Sequence, residues 1–167
     1  MKYILSALML LFVLASVQGS FAEVTNKQMS AQIFEGEVIV DAPPEKVWAV
    51  LTNLEQFAGF MGFQWQSGNK TVSKVGDTAR MKVWSDDTTY FLTYAEPNKE
   101  LRLALEPDNA SYICQKRWIL TPEGDKTKVQ LIDIYTESSP QSEESINSQI
   151  EGWNGHLAKL KEMAEGS

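Results

Sequence analysis

The chain has 167 residues, with 22 Asp and Glu against 15 Lys and Arg, a formal net charge of −7, one histidine and one cysteine. An acidic chain with no Lys/Arg cluster is poorly suited to nucleic acid or an anionic membrane surface, so neither is expected as a partner. A single cysteine excludes an internal disulfide, and a single histidine without a cysteine pair leaves no metal site of the usual His/Cys kind; no metal and no cofactor are expected.

Residues 1–22 hold Lys2 as their only charged side chain, an apolar run from Tyr3 to Val17, and Ser20-Phe21-Ala22 as a small-x-small exit. That sequence of features predicts a secretory signal peptide, and hence an exported protein, periplasmic or secreted. The apolar core is shorter than the ~20 residues a spanning helix needs, so no stable membrane insertion is expected after cleavage. Residues 23–31 are polar and aperiodic and read as a flexible lead-in. Residues 32–167 are one domain's worth of chain, enough for a real core.

Within that domain, residues 32–41 predict a first strand with Phe34, Gly36, Val38 and Val40 on one face. Ala42-Pro43-Pro44 stops the strand, and Pro44 with Glu45 opens a helix whose apolar side runs through Val47, Trp48, Val50 and Leu51 to Leu54 or Phe57. Ala58-Gly59-Phe60-Met61-Gly62-Phe63 interleaves large apolar residues with glycine. It fits a mobile apolar flap over a pocket as well as a connector packed in the core.

Short strands and turns follow. Residues 64–70 form a weak strand, Lys74-Val75-Gly76-Asp77 a turn, and residues 78–85 a strand. Asp86-Asp87 is then the expected hairpin turn into residues 88–95. Further strands are predicted at 101–106, 111–121 and 126–136, the last two joined by a turn at Pro122-Glu123-Gly124-Asp125. Strands in this order with tight connections predict an antiparallel meander. Cys114, inside the 111–121 strand, reads as a small buried hydrophobe. From about residue 140 to 165, Ile146, Ile150, Trp153, Leu157, Leu160 and Ala164 recur at steps of four and three, the stripe of one long amphipathic helix. Such a helix needs a sheet to bury it.

Alternation assigns Tyr90, Leu92 and Tyr94 to one side of their strand, Leu101, Leu103 and Leu105 to one side of the next, and Tyr112, Cys114, Lys116, Trp118 and Leu120 to one side of the third. The last strand is ambiguous: Val129, Leu131, Asp133 and Tyr135 oppose Gln130, Ile132 and Ile134. If the hairpin closes at 122–125, Trp118 pairs with Val129, Cys114 faces Asp133, and Lys116 is their diagonal neighbour. Lys116 and Asp133 then form a desolvated pair on the inner face, or a pair at the sheet margin, or a strand bulge turns one of them outward.

Several of these stretches resemble the START-like, SRPBCC superfamily, which includes polyketide cyclases and birch pollen allergen-type proteins. Val38 through Trp48 looks like its first strand and helix entry, and Val75-Gly76-Asp77 like its glycine turn. Trp118-Ile119-Leu120-Thr121-Pro122 with Gly124 and Thr127-Lys128-Val129 is similar to its last hairpin, and Trp153 to Leu160 to its closing helix. Asn53 stands where many relatives carry Asp. The resemblance implies an α+β helix-grip fold, with about seven antiparallel strands around the C-terminal helix and often an apolar cavity between them. It does not transfer chemistry. Some members bind lipids, sterols or polyketides, some cyclise or dehydrate them, and others are interaction modules.

With no nucleophile motif or cofactor fingerprint, no catalytic residue is assigned. His156 flanks the helix stripe and reads as a partly exposed histidine. Aromatics with hydroxyls suit a pocket wall. The candidate ligand-binding set is therefore Met81, Val83, Tyr90, Leu92, Tyr94, Leu103, Tyr112, Lys116, Trp118, Asp133, Tyr135, Trp153 and Leu157. The expected function is an exported binding protein for a small hydrophobic or amphipathic ligand. The alternatives are a cyclase- or dehydratase-like enzyme on a similar ligand, or a filled-core interaction module presenting Ile132 and Ile134.

Overall fold

The computed structural model describes residues 29–137 and 139–166. The expected signal peptide and residues 23–28 of the lead-in lie outside them, while Ser30 and Ala31 already belong to the first strand.

Seven strands form one antiparallel sheet in the order β1-β7-β6-β5-β4-β3-β2. They are β1 (Ser30–Val40), β2 (Gln64–Gly68), β3 (Thr78–Val83), β4 (Asp86–Glu96), β5 (Glu100–Pro107), β6 (Tyr112–Glu123) and β7 (Lys126–Glu137). Helices α1 (Pro44–Thr52) and α2 (Leu54–Met61) separate β1 from β2, and α3 (Glu143–Gly166) closes the chain. This is the helix-grip arrangement the sequence implies. On β7, where alternation alone is ambiguous, Val129, Leu131 and Asp133 are buried and take the inner face, while Ile134 on the opposite side is exposed.

The predicted first helix is two helices. Asn53 adopts an extended conformation and its Oδ1 accepts from the backbone N–H of Glu55 (3.1 Å) and Gln56 (3.2 Å), so one residue ends α1 and caps α2. Gly62, at φ 71°, ends α2 in the left-handed conformation. Phe57, Phe60 and Met61 are buried, and both phenylalanine rings meet Trp118 edge-on at 6.4 and 6.1 Å. The glycine-spaced apolar run is thus a packed helix rather than a flap.

Two hairpin turns differ from expectation. β3 and β4 are joined by Trp84-Ser85, with Val83 paired to Asp86, so Asp86 and Asp87 are strand residues. β6 and β7 turn tightly at Gly124-Asp125, where Gly124 has φ 68°, and Pro122 and Glu123 stay in the strand. The tighter turn shifts the register: Trp118 pairs with Leu131 rather than Val129, and Lys116 lies directly opposite Asp133. A third correction concerns Tyr94. The register slips between Leu92 and Tyr94, the mark of a β-bulge, and the alternation reverses. Tyr94 is consequently 38% exposed, with the Arg102 guanidinium 4.8 Å from its ring centre, away from the inner face.

The C-terminal helix is not uniformly gripped. Leu157, Leu160 and Ala164 are buried, but Trp153 is half-buried and Ile150 is 45% exposed. Gly36 of β1 admits the helix closely, since a Cβ there would lie 2.9 Å from Leu157 Cδ1. The C-terminal end is further tied by Lys161 Nζ donating to Ile39 O (2.7 Å) and by Asp41 N–H donating to Glu165 Oε1 (2.7 Å). The N-terminal half stands away from the sheet, and a cleft opens beneath it.

Candidate functional site

The cleft has a volume of about 200 Å³. Helix α3 supplies Ser148, Gln149, Gly152, Trp153 and His156; the sheet supplies Val83, Leu105, Tyr112, Cys114, Lys116, Asp133 and Tyr135; Met61, Phe63 and Trp84 complete the lining. Trp84 occupies the β3–β4 turn at φ 52°, a conformation unfavourable for a bulky residue, and is 67% exposed. Its ring lies 6.3 Å from Phe63 and 6.0 Å from Tyr112, so three aromatics fence one side of the cleft.

The lining contains a compact polar cluster. Lys116 and Asp133 side chains are each 4% exposed, with Nζ 2.9 Å from Oδ1. Cys114 Sγ donates to the same Oδ1 at 2.9 Å, and Lys116 Nζ also approaches Sγ at 2.8 Å. Lys116 Nζ lies 4.8 Å from the Trp153 ring centre, an ammonium over an aromatic face. Burial pushes the Cys114 thiol up to about 12, which keeps it protonated and donating at neutral pH. Burial works against the Lys116 ammonium, but Cys114 and Asp133 outweigh it and raise its pKa to about 12. The pair is therefore the desolvated inner-face alternative, charged and hydrogen-bonded, not a pair at the sheet margin.

His156, the only histidine, is half-buried, with Nδ1 3.0 Å from Phe60 O and its ring 5.5 Å from Trp153. A carbonyl oxygen only accepts, so a neutral imidazole carries its proton on Nδ1 and keeps the Nε2 lone pair. Burial lowers its pKa, against the pull of the Phe60 carbonyl, and favours this neutral form. Behind the lining, Tyr90 Oη and Trp118 Nε1 are buried without hydrogen-bond partners among the described residues. Each such group costs about 1–3 kcal/mol of desolvation.

Of the expected ligand-binding residues, Val83, Tyr112, Lys116, Asp133, Tyr135 and Trp153 line the cleft together. Met81, Tyr90, Leu92, Leu103 and Trp118 do not; they are fully buried core residues, Tyr90 and Trp118 with their rings against Phe57 of α2, where inner-face alternation alone had placed them beside a ligand. Leu157 packs on Gly36 and lines a separate groove against β1, and Tyr94 faces outward as described. The residues missed were Met61, Phe63, Trp84, Leu105, Cys114, Ser148, Gln149, Gly152 and His156. Four of the five helix residues among them fall beside the apolar stripe, and Ser148, Gln149, Gly152 and His156 share one flank by helical spacing, a signal the sequence carried. Among the described residues, no three His, Cys, Asp or Glu side chains cluster as metal ligands.

A curved seven-stranded sheet, a long closing helix and a cleft between them define a START-like helix-grip domain of the SRPBCC superfamily. Within that class, the chain belongs to the family described as Activator of Hsp90 ATPase homolog 1-like protein, whose model matches residues 41–165. No curated protein matches. Among solved structures, the chain is similar to the Mll3558 protein from Rhizobium loti (14% identity, TM-score 0.64, covering 81% of this chain and 99% of that one). It is also similar to CalU16 from Micromonospora echinospora (16%, 0.56, 85% and 87%) and to Ara h 8.0201 (10%, 0.62, 83% and 100%). At these identities the likeness is one of fold.

Proposed function

We propose that this is an exported binding protein that holds a small hydrophobic or amphipathic molecule in the cleft between the sheet and the N-terminal half of α3. The observation that carries this reading is the cleft itself: apolar walls from Met61, Phe63, Val83, Leu105 and Trp153 surround the buried Lys116–Asp133–Cys114 cluster. Such a combination of apolar bulk and few placed polar groups suits a ligand with a polar head. Export rests on the leader pattern of residues 1–22.

Native mass spectrometry of the protein purified from its own host tests both parts. The expected result is a mature chain beginning after Ala22 and carrying a co-purifying small molecule. A chain retaining its leader overturns export. A mature protein that carries no adduct and binds no hydrophobic probe overturns the ligand role.

A second reading, a cyclase or dehydratase on a similar ligand, is favoured by two bases, Asp133 and His156, lining one cleft. It requires turnover of the bound molecule, abolished in Asp133→Asn and His156→Gln under conditions where each still binds it.

A further inference from the structure

The polar groups of the cleft are unevenly partnered, and the pattern specifies the chemistry of an occupant. Lys116 donates to Cys114 Sγ and Asp133 Oδ1, and Cys114 donates to that same Oδ1. Among the described residues nothing donates to Asp133 Oδ2. The Nδ1–H of His156 is taken up by Phe60 O, which leaves Nε2 as an acceptor. Inward of the exposed Ser148 and half-buried Gln149 at the helix edge, two lining residues thus hold open acceptor atoms, while the one buried cation of the cleft is already matched by its one buried anion. A ligand carboxylate would bring a second anion beside Asp133 with no further cation to balance it. A ligand ammonium would face Lys116 in the same way. What complements two acceptors beside a closed ion pair is a neutral hydrogen-bond donor.

Size narrows the class further. A cleft of about 200 Å³ is below the roughly 300–1,000 Å³ of drug-sized pockets, and slightly larger than a dry cavity of about 150 Å³ that takes benzene. It fits one or two fused rings and not a long acyl chain. Trp153, Tyr112, Tyr135, Phe63 and Trp84 offer ring faces and edges for such a body.

We infer that the molecule held in the cleft is a neutral, hydroxyl-bearing compound of one or two rings, whose O–H donates to the open carboxylate oxygen of Asp133. This rests on the cleft being a ligand site. Gly152 supplies a way to separate the two claims: it lines the cleft, and a Cβ built there meets nothing within 4 Å, so a larger side chain enters open space rather than the core.

The test is isothermal titration calorimetry of the whole protein at pH 7 with 1-naphthol, naphthalene and 1-naphthoate as probes. The expected order is 1-naphthol tighter than either of the others by at least tenfold, with Gly152→Phe removing 1-naphthol binding. Asp133→Asn strands Lys116 in the core and threatens the fold, so the polar contact is tested in Lys116→Met/Asp133→Leu, which removes both charges together. In that variant 1-naphthol and naphthalene bind alike. Naphthalene or 1-naphthoate binding as tightly as 1-naphthol, in a manner blocked by Gly152→Phe, overturns the hydroxyl inference and leaves the cleft as a binding site. Failure of all three probes, or 1-naphthol binding indifferent to Gly152→Phe, overturns both.

Discussion

Lys116 Nζ and Asp133 Oδ1 lie 2.9 Å apart at directly paired positions of β6 and β7, on a face of the sheet that otherwise buries Trp118, Leu120, Val129 and Leu131. A buried pair of this kind is asymmetric in its energetics. Removing one partner strands a charge in a low dielectric, whereas removing both leaves only a packing problem. Asp133→Asn is expected to cost about 3–5 kcal/mol of stability, and Lys116→Met/Asp133→Leu to recover most or all of it. Urea denaturation of the two variants measures the difference directly.

The same cluster sets an alkaline limit. The Cys114 thiol is raised from 9.0 to about 12, chiefly by burial, and Lys116 from 10.5 to about 12, its partners overcoming burial. For both groups the unfolded chain loses its proton first as pH rises. Their contributions are fully present below the unfolded values and are lost as pH climbs from 9 towards 12. Tyr90, Tyr112 and Tyr135, all raised by burial from 10.0, act in the same direction at higher pH. In Cys114→Ala the onset of alkaline destabilisation moves from about pH 9 towards pH 10, read from denaturation midpoints across that range.

His156 gives a cleaner titration, being the only histidine in the chain. Burial lowers its pKa from 6.5, so the folded imidazole stays neutral where the unfolded one begins to charge. Its contribution to stability is present above pH 6.5 and is lost as pH falls below it. Nitrogen-edited NMR should show a single imidazole titrating below 6.5, with Nδ1 protonated and Nε2 bare at neutral pH. A midpoint at or above 6.5 contradicts the buried, Phe60-oriented ring.

Gly152 and Gly155 both interrupt α3, where each glycine disfavours the helix by about 1 kcal/mol relative to alanine. At neither position would a Cβ meet another atom within 4 Å, so packing does not require glycine. They differ in that only Gly152 lines the cleft. Gly155→Ala should raise stability by about 0.5–1 kcal/mol and leave probe binding unchanged. Gly152→Phe should keep the thermal midpoint at or above that of the parent while losing the probe. Differential scanning fluorimetry alongside calorimetric titration distinguishes the two.

Much of this architecture was legible in the chain. The Ile146-to-Ala164 spacing fixed a helix in need of a sheet, and the alternation of Leu101, Leu103 and Leu105 named an inner face that packing respects. What alternation could not supply was depth along the face. Tyr90 and Trp118 obey the same period as Tyr112 and Lys116, yet the first two are fully buried with their rings against Phe57 of α2 and the last two line the cleft. The turns were the other blind spot. Pro122 and Asp86 are turn-favouring residues held in strands, and the actual β3–β4 turn is built on Trp84, which propensity would never nominate. The Lys116–Asp133 pair was visible as two polar letters on one face, but direct opposition depended on a turn only one hydrogen-bonded step tighter than expected.

The uneven seating of α3 makes it a cantilever. One end is clamped by Leu157, Leu160, Ala164 and the ties from Lys161 and Glu165 to the β1 end, and the other is free to settle on whatever fills the space beneath it. Amide hydrogen exchange in such a helix should be graded along its length, slow in the last turns and fast in the first. An occupant of the cleft would then slow exchange around Ser148 and Gly152 while leaving Leu160 as it was, so that the helix backbone itself reports what the side chains hold.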